Sequence, residues 1–233
     1  MSSGELNVIT ETQGDAEWLA ARIGCLTASR VADAIRKSKR DPNGAYITKA
    51  RQNLCMELAV ERVTGKATEH FVSQWMERGT ELEPIARAAY ELRTDRIVET
   101  VGFVLHPSIK WAGCSPDGLV DSDGLVQFKV PKPTTHAEYL IGECVPSDYV
   151  PQMMWELACC PGRTHNVFAS YCPDFKPPLD LFICRMERND EAISAMEQEA
   201  RKFLEDVEAT VVRLNGGLEG ALRHSLTTMN VEG

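Results

Sequence analysis

The sequence predicts an α/β fold: a single domain with a central mixed β-sheet flanked by helices. Three observations lead there. Apolar residues recur at the helical period before about residue 93 and again after residue 190. From residue 97 the pattern changes to that of strands, including a hairpin around Asp121-Ser122-Asp123-Gly124. Two more strand-like runs, 165–171 and 179–186, lie between helical stretches. A mixed sheet covered on both faces is the simplest way to bury all of these stripes together.

Taken in order, residues 1–13 read as a flexible tail and 14–233 as one domain. Asp15 opens a short helix, Ala16 to Arg22, with Trp18 and Leu19 on its apolar side. Thr27 or Ser29 caps a second helix in which Val31, Ala34 and Ile35 share a face. After the turn at Asp41-Pro42-Asn43-Gly44, a long helix runs from Ala45 to about Thr64, its stripe being Ile47, Leu54, Leu58 and Val63, and Gly65 stops it. Ser73 caps a stretch to about Arg93, which Pro84 is expected to kink or divide. Strands are expected over Ile97 to Leu105 and Trp111 to Cys114, then the hairpin Leu119-Val120 and Leu125 to Val130. Helices follow at about 134–141 and 148–160, the second capped by Asp148 with Pro151 in its first turn. The last helix, about Asp190 to Leu214, repeats Ile193, Met196, Ala200, Phe203, Val207 and Val211.

Composition narrows the possibilities. No run of 18 apolar residues suggests a membrane span, and the N-terminus lacks the basic and apolar regions of a signal peptide, so a cytoplasmic protein without a membrane partner is expected. The eight cysteines form no CxxC pair and read as reduced thiols. An iron–sulfur set of Cys25, Cys159, Cys160 and Cys172 is possible in principle, but the loose spacing favours small buried apolar side chains. A net charge of −9 argues against non-specific coating of nucleic acid, though not against a narrow, locally basic channel. The dense basic run, Arg36, Lys37, Lys39 and Arg40, reads equally as a DNA contact and as a solvated helix end.

The chemistry is concentrated in Cys114-Ser115-Pro116-Asp117-Gly118 followed by Gln127-Phe128-Lys129. Residues two apart on a strand share a face, so Gln127 and Lys129 can converge with Asp117 at one sheet edge while Phe128 turns into the core. Phosphodiester cleavage uses such a set: carboxylates to hold Mg²⁺ and a lysine to orient the nucleophile or neutralise developing charge. Glu81 and Glu83 can add a carboxylate from a helix. Alone, these residues read as well as a turn aspartate, a solvated strand lysine and an exposed glutamate.

Several motifs in a fixed order are more specific than any one. Arg22-Ile23-Gly24-Cys25-Leu26-Thr27-Ala28-Ser29, Gly79 with Glu83, Ser115-Pro116-Asp117-Gly118, Lys129 and Gln152 resemble the lambda exonuclease or YqaJ-type viral recombinase family, over roughly residues 14–206. The resemblance implies a PD-(D/E)XK, restriction-endonuclease-like core and a Mg²⁺-dependent 5′→3′ exonuclease on linear double-stranded DNA, with Mn²⁺ as a possible substitute. It implies that Glu83, Asp117, position 127 and the Phe128 backbone carbonyl ligate the metal and that Lys129 assists the attacking water. It assigns Arg22, Ser29, Ser115 and Gln152 to the 5′-terminal phosphate, for which an arginine fork and small donors are chemically suited. It also implies a homotrimer around double-stranded DNA ends and a single-strand annealing protein as partner.

One position departs from the family. Where an acidic residue is expected stands Gln127, a neutral oxygen donor that offers a metal less than a carboxylate. Reduced activity is expected, whether the residue was introduced to silence cleavage or is a natural departure. A non-catalytic DNA-end-binding module and an endonuclease on the same fold are the alternatives.

Overall fold

The strand cluster builds two sheets rather than one. A computed structural model describes residues 6–9, 12–36, 48–68 and 74–229. Its elements are α1 (Ala16–Arg22), β1 (Leu26–Thr27), α2 (Ala28–Ile35), α3 (Lys49–Thr64), α4 (Gln74–Thr94), β2 (Val98–Glu99), β3 (Val104–Leu105), β4 (Ala112–Cys114), β5 (Gly118–Val120), β6 (Gly124–Lys129), α5 (Pro133–Gly142), α6 (Val150–Cys159), β7 (His165–Tyr171), β8 (Leu181–Glu187) and α7 (Asp190–Met229). The larger sheet has the order β2-β5-β6-β7-β8, with β6 and β7 parallel and the other pairs antiparallel. The smaller has the order β1-β4-β3, with β1 and β4 parallel. The mixed α/β class and the mixed sheet flanked by helices are as expected; the smaller sheet is an addition that the sequence did not suggest.

The expected strand 97–105 breaks because its ends pair in different sheets: Val98 with Val120, and Val104 with Cys114. Residues 115–117 cross back from the smaller sheet to the larger. The Gln13 amide holds both crossings, donating to the carbonyls of Val101 and Pro116 at 2.8 Å each. Part of the expected flexible tail is likewise docked. Ile9 N–H donates to Phe103 O at 2.9 Å, and Leu105 N–H to Asn7 O at 2.9 Å.

Alternation along β6 divides the core. Val126 and Phe128 face α4, where Phe128 meets Tyr90 edge-on at 5.8 Å, joined by Val98, Val120, Val167 and Ala169. Leu125 joins the larger cluster formed with α2, α3, α6 and α7, including Val31, Leu54, Trp155 and Phe203. That larger cluster takes up the stripes expected on α2 and α7 and, from α3, Leu54 and Leu58; Val63 is not part of it, and Ile47 lies outside the described residues.

Other elements depart locally from expectation. Pro84 is accommodated inside α4, which runs unbroken for 21 residues. Tyr149, not Asp148, caps α6. Helix α1 buries none of its residues fully, and Leu19 is 51% exposed. The turn at 41–44, the start of the long helix at 45–47, Ser73 and Lys37, Lys39 and Arg40 lie outside the described residues. Among the described residues no helix is long and apolar enough to cross a membrane.

Candidate active site

Asp117 stands where the chain leaves its crossing and enters β5. Gly118 follows because a Cβ there would lie 2.1 Å from Val98 Cγ1. One oxygen of Asp117, Oδ2, accepts from the Phe128 backbone N–H at 2.7 Å and from the Gln127 amide. Among the described residues no hydrogen bond reaches the other oxygen. Arg87 donates to the Asp117 backbone carbonyl at 3.2 Å and lies 3.9 Å from Glu83, one turn earlier on α4.

The electrostatics of this cluster are those of crowded carboxylates. Burial, and next the charge of Asp117, push Glu83 up to about 7, against the pull of Arg87 and Lys129. Burial also raises Asp117, opposed by Lys129, the Phe128 N–H and Arg87. Lys129 makes no hydrogen bond or ion pair among the described residues; its Nζ lies over the Tyr149 ring, 5.3 Å from the centroid. Glu83, Lys129 and Tyr149 line one cavity of about 540 Å³.

Gln127 is 2% exposed and linked into a chain of amides. Its Oε1 accepts from Gln152 Nε2 at 2.7 Å, which also donates to Glu156 Oε1 at 2.9 Å. Asn166 Nδ2 donates to the other oxygen of Glu156 at 2.7 Å. Glu156 is fully buried, and burial followed by the charge of Asp117 pushes it up to about 7. Sequence reading overlooked Glu156; its place four residues after Gln152, on one helix face, was the available signal.

These side chains fit a hard divalent cation in part. The Asp117 charge raises Glu83, a repulsion that a cation between the two carboxyl groups would relieve, and oxygen donors are the kind Mg²⁺ takes. Against this, Gln127 turns its amide nitrogen to Asp117, and the described residues contain no group of three His, Cys, Asp or Glu side chains arranged for a metal. That absence includes the four cysteines weighed for a cluster; all eight are free thiols, with Cys25, Cys159, Cys160 and Cys172 buried.

A second site adjoins the first. Arg22 ends α1 with its guanidinium stacked 3.9 Å over the Trp18 ring, and Trp18 Nε1–H donates to Ser115 Oγ at 2.9 Å. The turn beyond is clamped by α3: Glu61 accepts from Gly24 N–H at 2.8 Å, and Arg62 donates to Gly24 O at 2.9 Å. Gly24 is required there, with φ of 69° and Arg62 Cγ 2.5 Å from any added Cβ. Burial lowers Arg22 from its ordinary value, and among the described residues no carboxylate hydrogen-bonds its guanidinium. Arg22, Trp18 and Ser29 line a cavity of about 640 Å³. Of the four residues assigned to a terminal phosphate, Arg22, Ser29 and Ser115 gather here, while Gln152 sits with Gln127 instead. The exposed Arg36 is the described part of the basic run.

The profile of the YqaJ-like viral recombinase domain matches residues 17–164, well over half of the chain. The chain belongs to the YqaJ-like viral recombinase family. Among solved structures, this YqaJ-like chain resembles an alkaline exonuclease from Laribacter hongkongensis, with 38% identity and a TM-score of 0.80 over 89% of this chain and 100% of that one. The same enzyme in complex with dAMP matches at 39% identity and a TM-score of 0.80, with the same coverage. A phage-related exonuclease from Haemophilus somnus matches at 12% identity and a TM-score of 0.65, over 82% of this chain and 96% of that one, a likeness of fold alone. No curated protein sequence matches at comparable stringency.

Proposed function

We propose that this YqaJ-like chain is a nuclease that digests linear double-stranded DNA from its ends. It works 5′→3′ with Mg²⁺, or Mn²⁺ in its place, releasing mononucleotides and leaving a 3′ single-stranded tail for recombination. The observation that carries this reading is the adjacency of two unlike sites. The cavity with Arg22 offers a cation free to meet a terminal phosphate, and the Trp18–Ser115 hydrogen bond joins it to the segment bearing Asp117. A 5′-phosphate anchored at the first site sets the first phosphodiester against the second. The likeness to an alkaline exonuclease seen with dAMP supports a nucleotide-sized product.

Each residue has a role in this scheme. Arg22, Ser29 and Ser115 hold the terminal phosphate, and the exposed Arg36, with the basic residues after it, meets the duplex backbone. Glu83 and Asp117, with Gln127 and the Phe128 carbonyl, hold the cation. A cation bound there supplies positive charge to the scissile phosphate and acidifies an attacking water. Lys129, which makes no hydrogen bond or ion pair among the described residues, orients that water and meets developing charge. Gln127 brings no charge, so turnover is slow. The cytoplasm, a homotrimer around the DNA and a single-strand annealing partner complete the reading.

The test is a plasmid offered with Mg²⁺ as a closed circle and as a linear duplex labelled at either 5′ or 3′ ends. The reading expects the circle intact and the 5′ label released first as mononucleotide. Nicking or linearisation of the circle favours an endonuclease. Tight end binding without hydrolysis, even for Gln127→Glu, favours the end-binding module, to which the Gln127–Asp117 hydrogen bond lends some weight.

A further inference from the structure

Glu156 is a buried carboxylate to which no cation among the described residues is hydrogen-bonded, and the fold gives something up to hold it. Its partners are two amides, Gln152 and Asn166. Asn166 turns its Nδ2 to Glu156 and to the Met153 carbonyl, and leaves its own buried Oδ1 without a hydrogen-bond partner. An unsatisfied buried carbonyl is costly, and the orientation that leaves it so is held by two acceptors together, the Glu156 carboxyl and the Met153 carbonyl. Burying a carboxylate against neutral groups is costly as well, and a glutamine or an apolar residue would fill the same space more cheaply. Packing therefore leaves an ionisable acid at 156 unexplained.

The connection from Glu156 runs in one direction. It passes through Gln152 and Gln127 to Asp117, with an amide N–H turned toward the carboxylate at each end. The strand position where the family expects an acid carries an amide, and the neighbouring helix position joined to it carries an acid. We propose that acid and amide have been exchanged between β6 and α6: Glu156 is a positioning residue that supplies, through Gln152 and Gln127, the negative charge the metal site lacks at position 127. This inference rests on the nuclease reading above and deepens it. The exchange keeps the charge near the site while moving it from strand to helix.

The test measures Mn²⁺ binding by titration calorimetry, alongside thermal melting in chelator and hydrolysis of linear duplex, for the parent, E156Q and Q127E/E156Q. E156Q is expected to fold, because glutamine has the shape of Glu156 and its Oε1 can still accept from Asn166 Nδ2, which keeps its bond to the Met153 carbonyl. It should bind Mn²⁺ about tenfold to a hundredfold more weakly, the usual effect of removing an outer partner of a metal site. Q127E/E156Q, with the acid returned to the strand, should recover at least the parental affinity and hydrolyse DNA faster than E156Q. Parental affinity in E156Q overturns the exchange, as does a double variant that binds no better than E156Q. If E156Q alone does not fold, the double variant against the parent decides: equal or tighter binding supports the exchange, and tenfold weaker binding overturns it. Absence of Mn²⁺ binding and of hydrolysis in every variant would sink the nuclease reading itself, and the exchange with it.

Discussion

Replacing Arg22 by alanine should abolish discrimination between DNA ends while sparing the chemistry. The guanidinium is stacked 3.9 Å over Trp18, which fixes its plane, and no carboxylate among the described residues takes up its hydrogen bonds. A terminal phosphate can therefore accept from it without displacing a partner. One charge-assisted hydrogen bond contributes on the order of 1.5–3 kcal/mol, so its loss slows the phosphorylated substrate roughly tenfold to a hundredfold. The assay compares matched linear duplexes with 5′-phosphate and 5′-hydroxyl ends at one salt concentration, because backbone contacts weaken steeply as salt rises. In a Gln127→Glu background the phosphorylated duplex should be cut faster by that factor. Arg22→Ala should bring it to the rate of the hydroxyl duplex, which itself changes little. Arg22→Lys should fall between, since lysine keeps the charge but loses the fork and the stacking plane. Equal rates on both ends, or an alanine variant that keeps the preference, would reduce Arg22 to a surface charge packed on a tryptophan and remove the basis for 5′→3′ digestion.

Gln127→Glu should raise Mg²⁺-dependent hydrolysis of linear duplex by orders of magnitude; a rate equal to that of the parent would show that position 127 is not what limits turnover. In that background Lys129→Ala should stop turnover with end affinity almost unchanged, since its contact is strongest in the transition state; lost affinity with chemistry intact would make it a DNA-positioning residue. Without metal, the protein should lose stability as pH rises. Glu156 binds its proton up to about 7 when folded but only to about 4.5 as an ordinary glutamate, so its contribution is complete below about 4.5 and gone above about 7. That interval corresponds to about 3 kcal/mol, with a smaller share in the same direction from Glu83, whose side chain is 39% exposed. Urea melts in chelator at pH 5 and pH 8 should show the loss in the parent and a flatter dependence in Glu156→Gln; identical slopes would contradict it.

Helices were more legible than strands, for a physical reason. Helical bonds are local, so Asp15, Thr27 and Gly65 mark ends that the structure keeps. Strand partners are distant, and nothing within Ile97 to Leu105 reveals that Val98 pairs with Val120 while Val104 pairs with Cys114. Pro84 does not divide its helix, which runs on through it. At the site, the i, i+2 relation on β6 correctly joined Gln127 to Lys129 and turned Phe128 into the core. Glu156 stayed hidden because its role depends on α6 packing over β6 and β7, a contact made only by the folded chain.

The two crossings between sheets explain why the two candidate sites meet at Ser115–Asp117. A paired strand fixes its side chains alternately on two faces, but residues 115–117 belong to neither sheet and can turn to neighbours on different sides. Ser115 accepts from Trp18 at the Arg22 cavity, Pro116 O accepts from Gln13, and Asp117 reaches Phe128 and Gln127 on β6. Three consecutive residues thus touch the Arg22 cavity, the docked N-terminal segment and the carboxylate cluster. A shift of this segment would move anchor and cluster together, which preserves their spacing. Gln13 limits such a shift by holding Val101 O on the other crossing at the same time. The separation between the Arg22 cavity and the carboxylate cluster is therefore set by backbone geometry over a few residues, whereas charge at the cluster is set by side chains from β6, α4 and α6. Charge can change position among those elements, as Gln127 and Glu156 suggest, without altering where a DNA end would be held.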